Sequence, residues 1–217
     1  LHQASYDAGL GEVARGAILF NECHRAARAE ASGAPVEAAA VTGAPRIVRR
    51  IGLSALQRAA ARRALGVRGR LTVWNTALYA NNYQFLPHYW RDTPYHSLRK
   101  HIVHDILGKC RGEVLLKLYP TYRYVDPDPF AGLIELPANC RQLQFTDFRN
   151  LRAAADLLIN ETPGSVLGWS WGAGVPQIYL ETGACPLRPE IEALFRRSLF
   201  FVDAREAGSE AELTALL

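Results

Sequence analysis

The segment from Ala155 to Glu181 constrains the fold of this chain more than any other. It contains an apolar run from Asp156 to Asn160, a polar corner, Glu161-Thr162-Pro163-Gly164-Ser165, a short helical pattern, and a second apolar run from Gln177 to Leu180. A strand, a corner of small residues that opens a helix, and another strand are typical of a right-handed crossover between parallel strands. The corner should therefore lie at the carboxyl edge of a parallel sheet, where open α/β sheets bind ligands.

The sequence of this corner allows two interpretations. Thr162 and Ser165 supply hydroxyls, Gly164 allows a close approach of the backbone, and the first helical turn has free N–H groups, so the corner could bind an anion. Alternatively, Thr162 caps the helix and Gly164 eases the turn. The local sequence leaves both interpretations open.

The rest of the chain supports an α/β fold. The chain has 217 residues, 49 % of them hydrophobic, which is enough to bury a core. From Leu71 onward strands and helices alternate, with further strands predicted at Leu71 to Leu78, Glu113 to Pro120, Arg141 to Phe145 and Leu199 to Ala204. Helices are predicted at Ser97 to Cys110, after a cap at Thr146 or Asp147, at Arg188 to Arg197 and from Ser209 onward. This order predicts a doubly wound, parallel, Rossmann-like sheet of five or six strands.

The beginning of the chain predicts a separate, smaller unit. Two strands, Gly16 to Glu22 and Val36 to Gly43, flank a short helix, and such a βαβ unit needs neighbouring strands to close a domain. We therefore interpret residues 1–45 as the remnant of an N-terminal Rossmann-like domain and expect further residues before Leu1. Residues 46–70 are predicted to be a connector helix, with a capping box at Ser54 and Gln57 and an end at Gly66, and residues 71–217 a C-terminal ligand-binding domain.

The connector carries the positive charge of the chain. The net charge is +4, and eight arginines without an acid lie between Arg46 and Arg70, so the remainder sums to 4 − 8 = −4. Such a segment can contact nucleic acid, acidic lipid or a phosphorylated small molecule. No aromatic residues of the kind used by single-strand binders accompany these arginines. The alternative is that Arg58, Arg62 and Arg63 form the solvated face of an amphipathic helix whose Leu56, Ala60 and Leu65 share the other face.

Several kinds of site are not predicted. The four cysteines are widely spaced and the six histidines show no metalloprotease pattern, so we expect reduced thiols and no metal. The dinucleotide and P-loop glycine motifs are absent. No window of about 18 consecutive apolar residues predicts a membrane span, and we expect a cytoplasmic protein.

Polar and aromatic residues follow the strands of the predicted sheet. Because the carboxyl ends of parallel strands meet at one edge, we expect these loops to converge. Amides and hydroxyls bind sugars and ribose, aromatic faces stack on a base, and arginine meets phosphate. The candidate binding residues are Asn75, Thr76, Tyr79, Asn82, Lys117, Tyr119, Thr121, Arg123, Thr146, Asp147, Glu161, Thr162, Gly164 and Ser165. The alternative is that some of them are ordinary turn residues, because asparagine, aspartate and threonine also favour turns.

A family resemblance rests on four segments. They are an early βαβ edge ending in TGAP, the connector from Arg58 to Val67, the strand end KLYPT, and NETPGS followed by GVPQIYL. Together they resemble the second half of GT-B glycosyltransferases, in particular those of bacterial capsule and lipopolysaccharide synthesis. The resemblance covers the chain from about Gly16 to its end.

The resemblance implies a function and site roles. In such enzymes the C-terminal domain binds the nucleotide-sugar donor, no metal or cofactor is required, and the catalytic base or nucleophile lies in the N-terminal domain. Lys117 to Thr121 and Glu161 to Ser165 match donor-phosphate segments, although Tyr119 stands where relatives have histidine. Glu22, at the end of an N-terminal strand, is the candidate catalytic residue, and the alternative is that it is a capping carboxylate.

Three functions remain open at this stage. The leading hypothesis is transfer of a sugar from a nucleotide-sugar donor to a glycan or lipid-linked acceptor in surface polysaccharide biosynthesis. We expect no nucleic-acid partner, and a peripheral contact with the inner face of the membrane through Arg46 to Arg70. The alternatives are a non-catalytic carbohydrate-assembly module that docks through the same arginines, and a nucleotide-sugar 2-epimerase of the same fold.

Overall fold

The structure is a computed structural model that describes residues 17–19, 25–26, 29–30, 39–41, 53–76, 92–118, 135–183 and 186–205. The chain divides into two compact units, Leu1–Ile51 and Gly52–Leu217. In the first unit, strands β1 (Ala17–Leu19) and β2 (Ala39–Val41) pair in parallel. Residues 25–26 and 29–30, between these strands in the sequence, are helical.

The second unit is built on a six-stranded sheet. Its strands are β3 (Leu71–Asn75), β4 (Glu113–Lys117), β5 (Cys140–Leu143), β6 (Leu157–Asn160), β7 (Gln177–Glu181) and β8 (Phe200–Asp203). They are ordered β5-β4-β3-β6-β7-β8, and every neighbouring pair is parallel. The predicted doubly wound parallel sheet is thus confirmed, with the reversal of strand order between β3 and β6.

Five helices accompany the described strands of the second unit. They are α1 (Ala55–Ala64), α2 (Asp92–His101), α3 (Phe148–Leu151), α4 (Ser165–Trp171) and α5 (Pro189–Ser198). Helix α2 continues as a π-helical turn, Ile102–Ile106, and a 3₁₀ turn, Leu107–Lys109. It begins at Asp92 and not at the predicted Ser97, since Pro94 falls in the first turn, where a missing N–H costs nothing. The helix predicted after Ser209 lies outside the described residues.

Helices cover both faces of the sheet. On one face the π-helical turn that follows α2 packs Ile102 and Val103 against Trp74, Leu116 and Ile159. On the opposite face α1, α3 and α4 pack against the side chains that alternate with these, which are Leu71, Val73, Leu115 and Leu158. Helix α5 extends that second layer through Phe195, whose ring meets the ring of Tyr179 edge-on at 5.0 Å. Strands buried on both faces explain why their sequences are continuous apolar runs.

Helix α1 begins and ends as its sequence predicts. The Ser54 side chain accepts from the Gln57 N–H while the Gln57 side chain accepts from the Ser54 N–H, and Gly66 follows the helix with φ +67°. The predicted apolar face is partly wrong. Ala61 and Leu65 pack against the core, whereas Leu56 is 82 % exposed.

Two arginines fix α1 to the amino edge of the sheet. Arg62 donates to the main-chain oxygen of Ala154 at 2.8 Å and to the Asp156 carboxylate at 2.9 Å, and Arg58 donates to the Ala155 oxygen at 2.9 Å. The interpretation of both as purely solvated side chains is therefore wrong. Arg63, by contrast, is exposed as expected.

Candidate functional site

Buried polar side chains end five of the six strands of the sheet. These terminal residues are Asn75 of β3, Lys117 of β4, Asn160 of β6, Glu181 of β7 and Asp203 of β8, each at least nine-tenths buried. Buried polar groups are costly to keep unless they are hydrogen-bonded, so a row of them along one edge calls for an explanation. The carboxyl edge of the sheet is thus chemically unlike its apolar interior.

The centre of this edge is an asparagine pair on the two strands that flank the reversal of strand order. Asn75 Nδ2 donates to Asn160 Oδ1 at 2.9 Å, and Ser170 Oγ of α4 donates to the same oxygen at 3.1 Å. Asn75 Oδ1 and Asn160 Nδ2 have no hydrogen-bond partner among the described residues. Exchanging the oxygen and nitrogen of both amides would again leave one acceptor and one donor unpaired. A hydroxyl, which both donates and accepts, complements this pair.

Helix α4 is held against this pair by side-chain contacts to its backbone. Ser170 Oγ also bonds to the Val166 oxygen at 3.0 Å, Gln177 Nε2 donates to the Ser170 oxygen at 2.9 Å, and Arg152 donates to the Trp169 oxygen at 2.8 Å. The bonds from Gln177 and Arg152 join α4 to β7 and to the segment after α3.

The corner from Glu161 to Ser165 does not have the helix cap that one interpretation of the sequence predicted. Helix α4 begins at Ser165 after Gly164, and a glycine has no side chain with which to cap a helix. The interpretation of Thr162 as the helix cap is therefore wrong. A side chain at Gly164 would meet only the Thr162 hydroxyl, at 3.9 Å, so close packing does not require this glycine.

Glu161 forms a buried contact with α2 that the sequence did not reveal. Its side chain is 2 % exposed, and the Tyr95 hydroxyl donates to its Oε2. The Arg99 guanidinium lies 4.3 Å from the centre of the Tyr95 ring. The signal that could have identified Tyr95 and Arg99 is their position at the start of the helix after β3, since the helices of an open α/β sheet begin at its carboxyl edge.

Lys117 is a buried lysine at the same edge. Its Nζ donates to the main-chain oxygens of Leu118 and Gln144, the latter at 2.8 Å. Burial lowers the pKa of Lys117 to about 8, although the Asp147 charge opposes this shift. The Thr76 hydroxyl donates to the Lys117 oxygen at 3.3 Å, which connects the ends of β3 and β4.

Asp147 has two roles in the loop after β5. Of the two predicted caps, Thr146 and Asp147, it is Asp147 that caps α3, by accepting from the Arg149 N–H at 2.8 Å. The pKa of the Asp147 carboxyl is lowered, mainly by its hydrogen bonds from the Arg149 side chain and main chain and also by the charge of Lys117. It therefore stays ionised at neutral pH and contributes negative charge near Lys117.

Two further acids at this edge were missed by the sequence prediction. Glu181 accepts from the Gly183 N–H at 2.6 Å, and burial raises the pKa of its carboxyl. Asp203 accepts from Arg196 at 3.0 Å and from Arg205 Nε at 2.8 Å. The signal was present: each acid ends an apolar strand, as Asn75 does.

The predicted candidates divide into two groups. Asn75, Thr76, Lys117, Thr146, Asp147, Glu161, Thr162 and Gly164 all lie at or just beyond the carboxyl ends of β3, β4, β5 and β6. Ser165 begins α4. Glu22, Tyr79, Asn82, Tyr119, Thr121 and Arg123 lie outside the described residues. Within the described ranges no group of three His, Cys, Asp or Glu residues could hold a metal ion.

Comparison with known proteins identifies the fold. No family model and no curated protein matches the chain. Among solved structures, HepE of Anabaena in complex with UDP-glucose is 18 % identical over 99 % of this chain and 56 % of its own, with a TM-score of 0.55. HepE in complex with UDP gives 19 % identity over 95 % and 54 %, with a TM-score of 0.52.

The solved structure of a glycosyltransferase is similar as well. WaaG, a glycosyltransferase involved in lipopolysaccharide biosynthesis, is 13 % identical over 92 % of this chain and 51 % of its own, with a TM-score of 0.50. The chain therefore has the fold of GT-B glycosyltransferases, as the sequence resemblance implies. It spans little more than half the length of these structures. None of the helices that the structure describes has the length and apolar character of a membrane span.

Proposed function

We propose that this chain contains the donor-binding domain of a glycosyltransferase that moves a sugar from a nucleotide-sugar to a surface-glycan acceptor. The observation that supports this proposal is the row of buried polar side chains at the carboxyl edge, centred on Asn75 and Asn160 where the strand order reverses. Open α/β sheets bind nucleotides at that position. HepE, which shares the fold, has been solved with UDP-glucose.

The described residues fit the sugar and ribose part of such a donor. Asn75 and Asn160 offer an unpaired acceptor and an unpaired donor, and Glu161 adds a carboxylate, so hydroxyl groups are the complementary ligand chemistry. Lys117 adds a positive charge at this edge, because it ends strand β4. In the proposal Lys117 and Arg123 meet the phosphates, and Tyr79 and Tyr119 contact the base.

The proposed reaction needs no metal. Lysine, arginine and main-chain N–H groups can stabilise the negative charge that develops on the departing phosphate. Glu22 is the proposed catalytic residue. The proposed partners are the nucleotide-sugar, a glycan or lipid-linked acceptor and, through Arg46 to Arg70, the inner face of the membrane. Donor binding should be the same with and without EDTA, and a loss of binding that magnesium restores would contradict this part.

Calorimetric titration with UDP, GDP and CMP and with their sugars tests the donor role. We expect one nucleotide series to bind, and Asn75→Ala to weaken the nucleotide-sugar roughly tenfold, the usual effect of losing one or two hydrogen bonds. Asn150→Ala, at an exposed asparagine of α3, is the matched control and should bind as the unaltered chain does. Equal affinities for all three proteins, or no binding of any nucleotide, would contradict the proposal.

The products distinguish the remaining alternatives. Release of an epimerised or free sugar without acceptor would favour the epimerase. Nucleotide-sugar binding without transfer to any glycan, in a protein that still docks on a partner, would favour the assembly module.

A further inference from the structure

The amino edge of the sheet, opposite the candidate site, carries exposed arginines that the fold does not use. Arg68 and Arg70 precede β3, Arg111 precedes β4, and Arg63 lies on α1; all four side chains are exposed. Glu113 N–H donates to the Arg70 oxygen at 2.9 Å, so the segments before β3 and β4 are neighbours. We call these four arginines the amino-edge cluster.

The acids near this cluster are already occupied. Asp156 bonds to Arg62 at 2.9 Å and to the Leu71 N–H at 2.9 Å. Glu113 lies 3.7 Å from Arg141 and accepts from the Arg68 N–H at 3.1 Å. The guanidinium groups of Arg63, Arg68, Arg70 and Arg111 make no ion pair with any described residue. Within the described ranges, no acid is thus left to offset the charge of the cluster.

The outer face of α1 adds apolar surface beside the cluster. While Arg58 and Arg62 turn inward to the sheet, Leu56, Ala60 and Arg63 are exposed and follow one another at helical spacings of four and three residues. Residues 53–70 contain no acid and no aromatic side chain. On a lipid surface the arginines can meet anionic head groups while Leu56 enters the apolar layer below them. Recognition of single-stranded nucleic acid would instead require aromatic side chains for base stacking.

We infer that the amino-edge cluster and the outer face of α1 bind an anionic lipid surface. This inference refines the proposed membrane contact of Arg46 to Arg70. The contact surface now includes Arg111 and excludes Arg58 and Arg62, which bond to the sheet. The inference does not depend on donor binding. The strands place the two edges about 15 Å apart, the length of four or five residues in a strand. Docking through the amino edge leaves the carboxyl edge turned away from the lipid, where a donor can reach it.

Vesicle co-sedimentation of the whole chain tests this inference. We expect binding to vesicles of phosphatidylcholine mixed with phosphatidylglycerol, little binding to phosphatidylcholine alone, and a decrease with added salt. Each arginine should contribute about fivefold to the affinity, so Arg63→Gln, Arg68→Gln and Arg70→Gln together should weaken binding roughly a hundredfold. Leu56→Ser should weaken it several-fold at constant charge.

A charge-matched variant is the control. Lys100→Gln, Arg188→Gln and Arg197→Gln remove the same charge from exposed positions on or beside α2 and α5, and should leave binding almost unchanged. Both triple variants should unfold at the temperature of the unaltered chain, because all six side chains are exposed. If both triple variants lost the same amount of vesicle affinity, net charge alone would explain the binding, and the inference would be overturned. Failure to bind the anionic vesicles, or stronger retention on single-stranded DNA at the same salt, would also overturn it.

Discussion

At the scale of single residues, Lys117 makes the stability of the domain depend on pH. Burial lowers the pKa of Lys117 to about 8, while its unfolded pKa is the ordinary value for lysine, about 10.4. Between these two values the unfolded chain binds more protons than the folded chain, so the free energy of unfolding rises with pH. We predict that it rises by about 2 kcal/mol from Lys117 alone between about pH 7.5 and 9.5.

Urea unfolding at these two pH values provides the measurement. Other groups titrate in the same range, so the contribution of Lys117 is the difference between the unaltered chain and Lys117→Met. The variant should lack this rise. The same rise in both proteins would show that Lys117 keeps an ordinary pKa in the folded state.

The Tyr95–Glu161 contact gives a second prediction at this scale. Tyr95→Phe removes a hydroxyl that donates to the buried Glu161 side chain, and loss of one partner from a buried hydrogen bond costs about 1–3 kcal/mol. We expect the free energy of unfolding to fall by that amount, as measured by denaturant titration at neutral pH. If Glu161 also contacts the donor, nucleotide-sugar affinity should fall with it. An unchanged free energy of unfolding would mean that the contact contributes nothing.

At the scale of elements, the Asp156 carboxylate contributes to the attachment of α1 to the sheet. Burial alone would raise the pKa of Asp156, but the Leu71 N–H and the Arg62 and Arg58 guanidinium groups outweigh it, and the net pKa is lowered. The stabilisation is therefore present above the unfolded pKa of about 3.9 and is lost as the pH falls through the lower folded value. Asp156→Asn should cost about 1 kcal/mol at neutral pH, since the pair is partly exposed.

The pH dependence separates this effect from a change in packing. The difference in the free energy of unfolding between Asp156→Asn and the unaltered chain should shrink toward acid pH. Glu135→Gln, at an exposed position outside any helix, serves as the control and should show no such difference at any pH. A difference that persists in acid would contradict the assignment.

The end of α1 gives a matched pair of glycines. Gly66 has φ +67°, where a side chain is strained, whereas Gly69 has no positive φ, and a β-carbon at either position would meet no atom within 4 Å. Gly66→Ala should lower the free energy of unfolding by about 1 kcal/mol, and Gly69→Ala should change it little. Thermal unfolding of both variants measures this, and equal effects would show that the backbone conformation at Gly66 is not the cause.

The bounds of an element were predictable where local sequence signals are strong. The face that an element turns toward the core was less predictable, because tertiary packing determines it. The capping box at Ser54 and Gln57 and the glycine at position 66 marked α1 correctly, because caps act over three or four residues. The inward face of α1 was assigned wrongly at Leu56, because Ala61 and Leu65 are the residues that meet the core. The π-helical turn at Ile102–Ile106 has no sequence signal that we can identify.

At the scale of the whole molecule, alternation of strands and helices was sufficient to predict the parallel sheet. Placing Asn75 and Glu161 at the carboxyl edge followed from that topology alone. The sequence could not pair Asn75 with Asn160, nor Tyr95 with Glu161, because each contact joins residues 85 or 66 positions apart. Glu181 and Asp203 each end an apolar strand, as Asn75 does. The same topological argument that placed Asn75 at the carboxyl edge therefore also applies to these two acids.

Binding of a nucleotide-sugar at the carboxyl edge of the six-stranded sheet is the central claim. Backbone amide NMR spectra of the chain, titrated with UDP-glucose and with CMP- and GDP-sugars, test it most directly. We predict saturable shifts with one of these ligands at Asn75, Thr76, Asn160 and Glu161, and none at the amino-edge cluster. Saturable shifts confined to the amino edge, or no shift with any of the ligands, would contradict it.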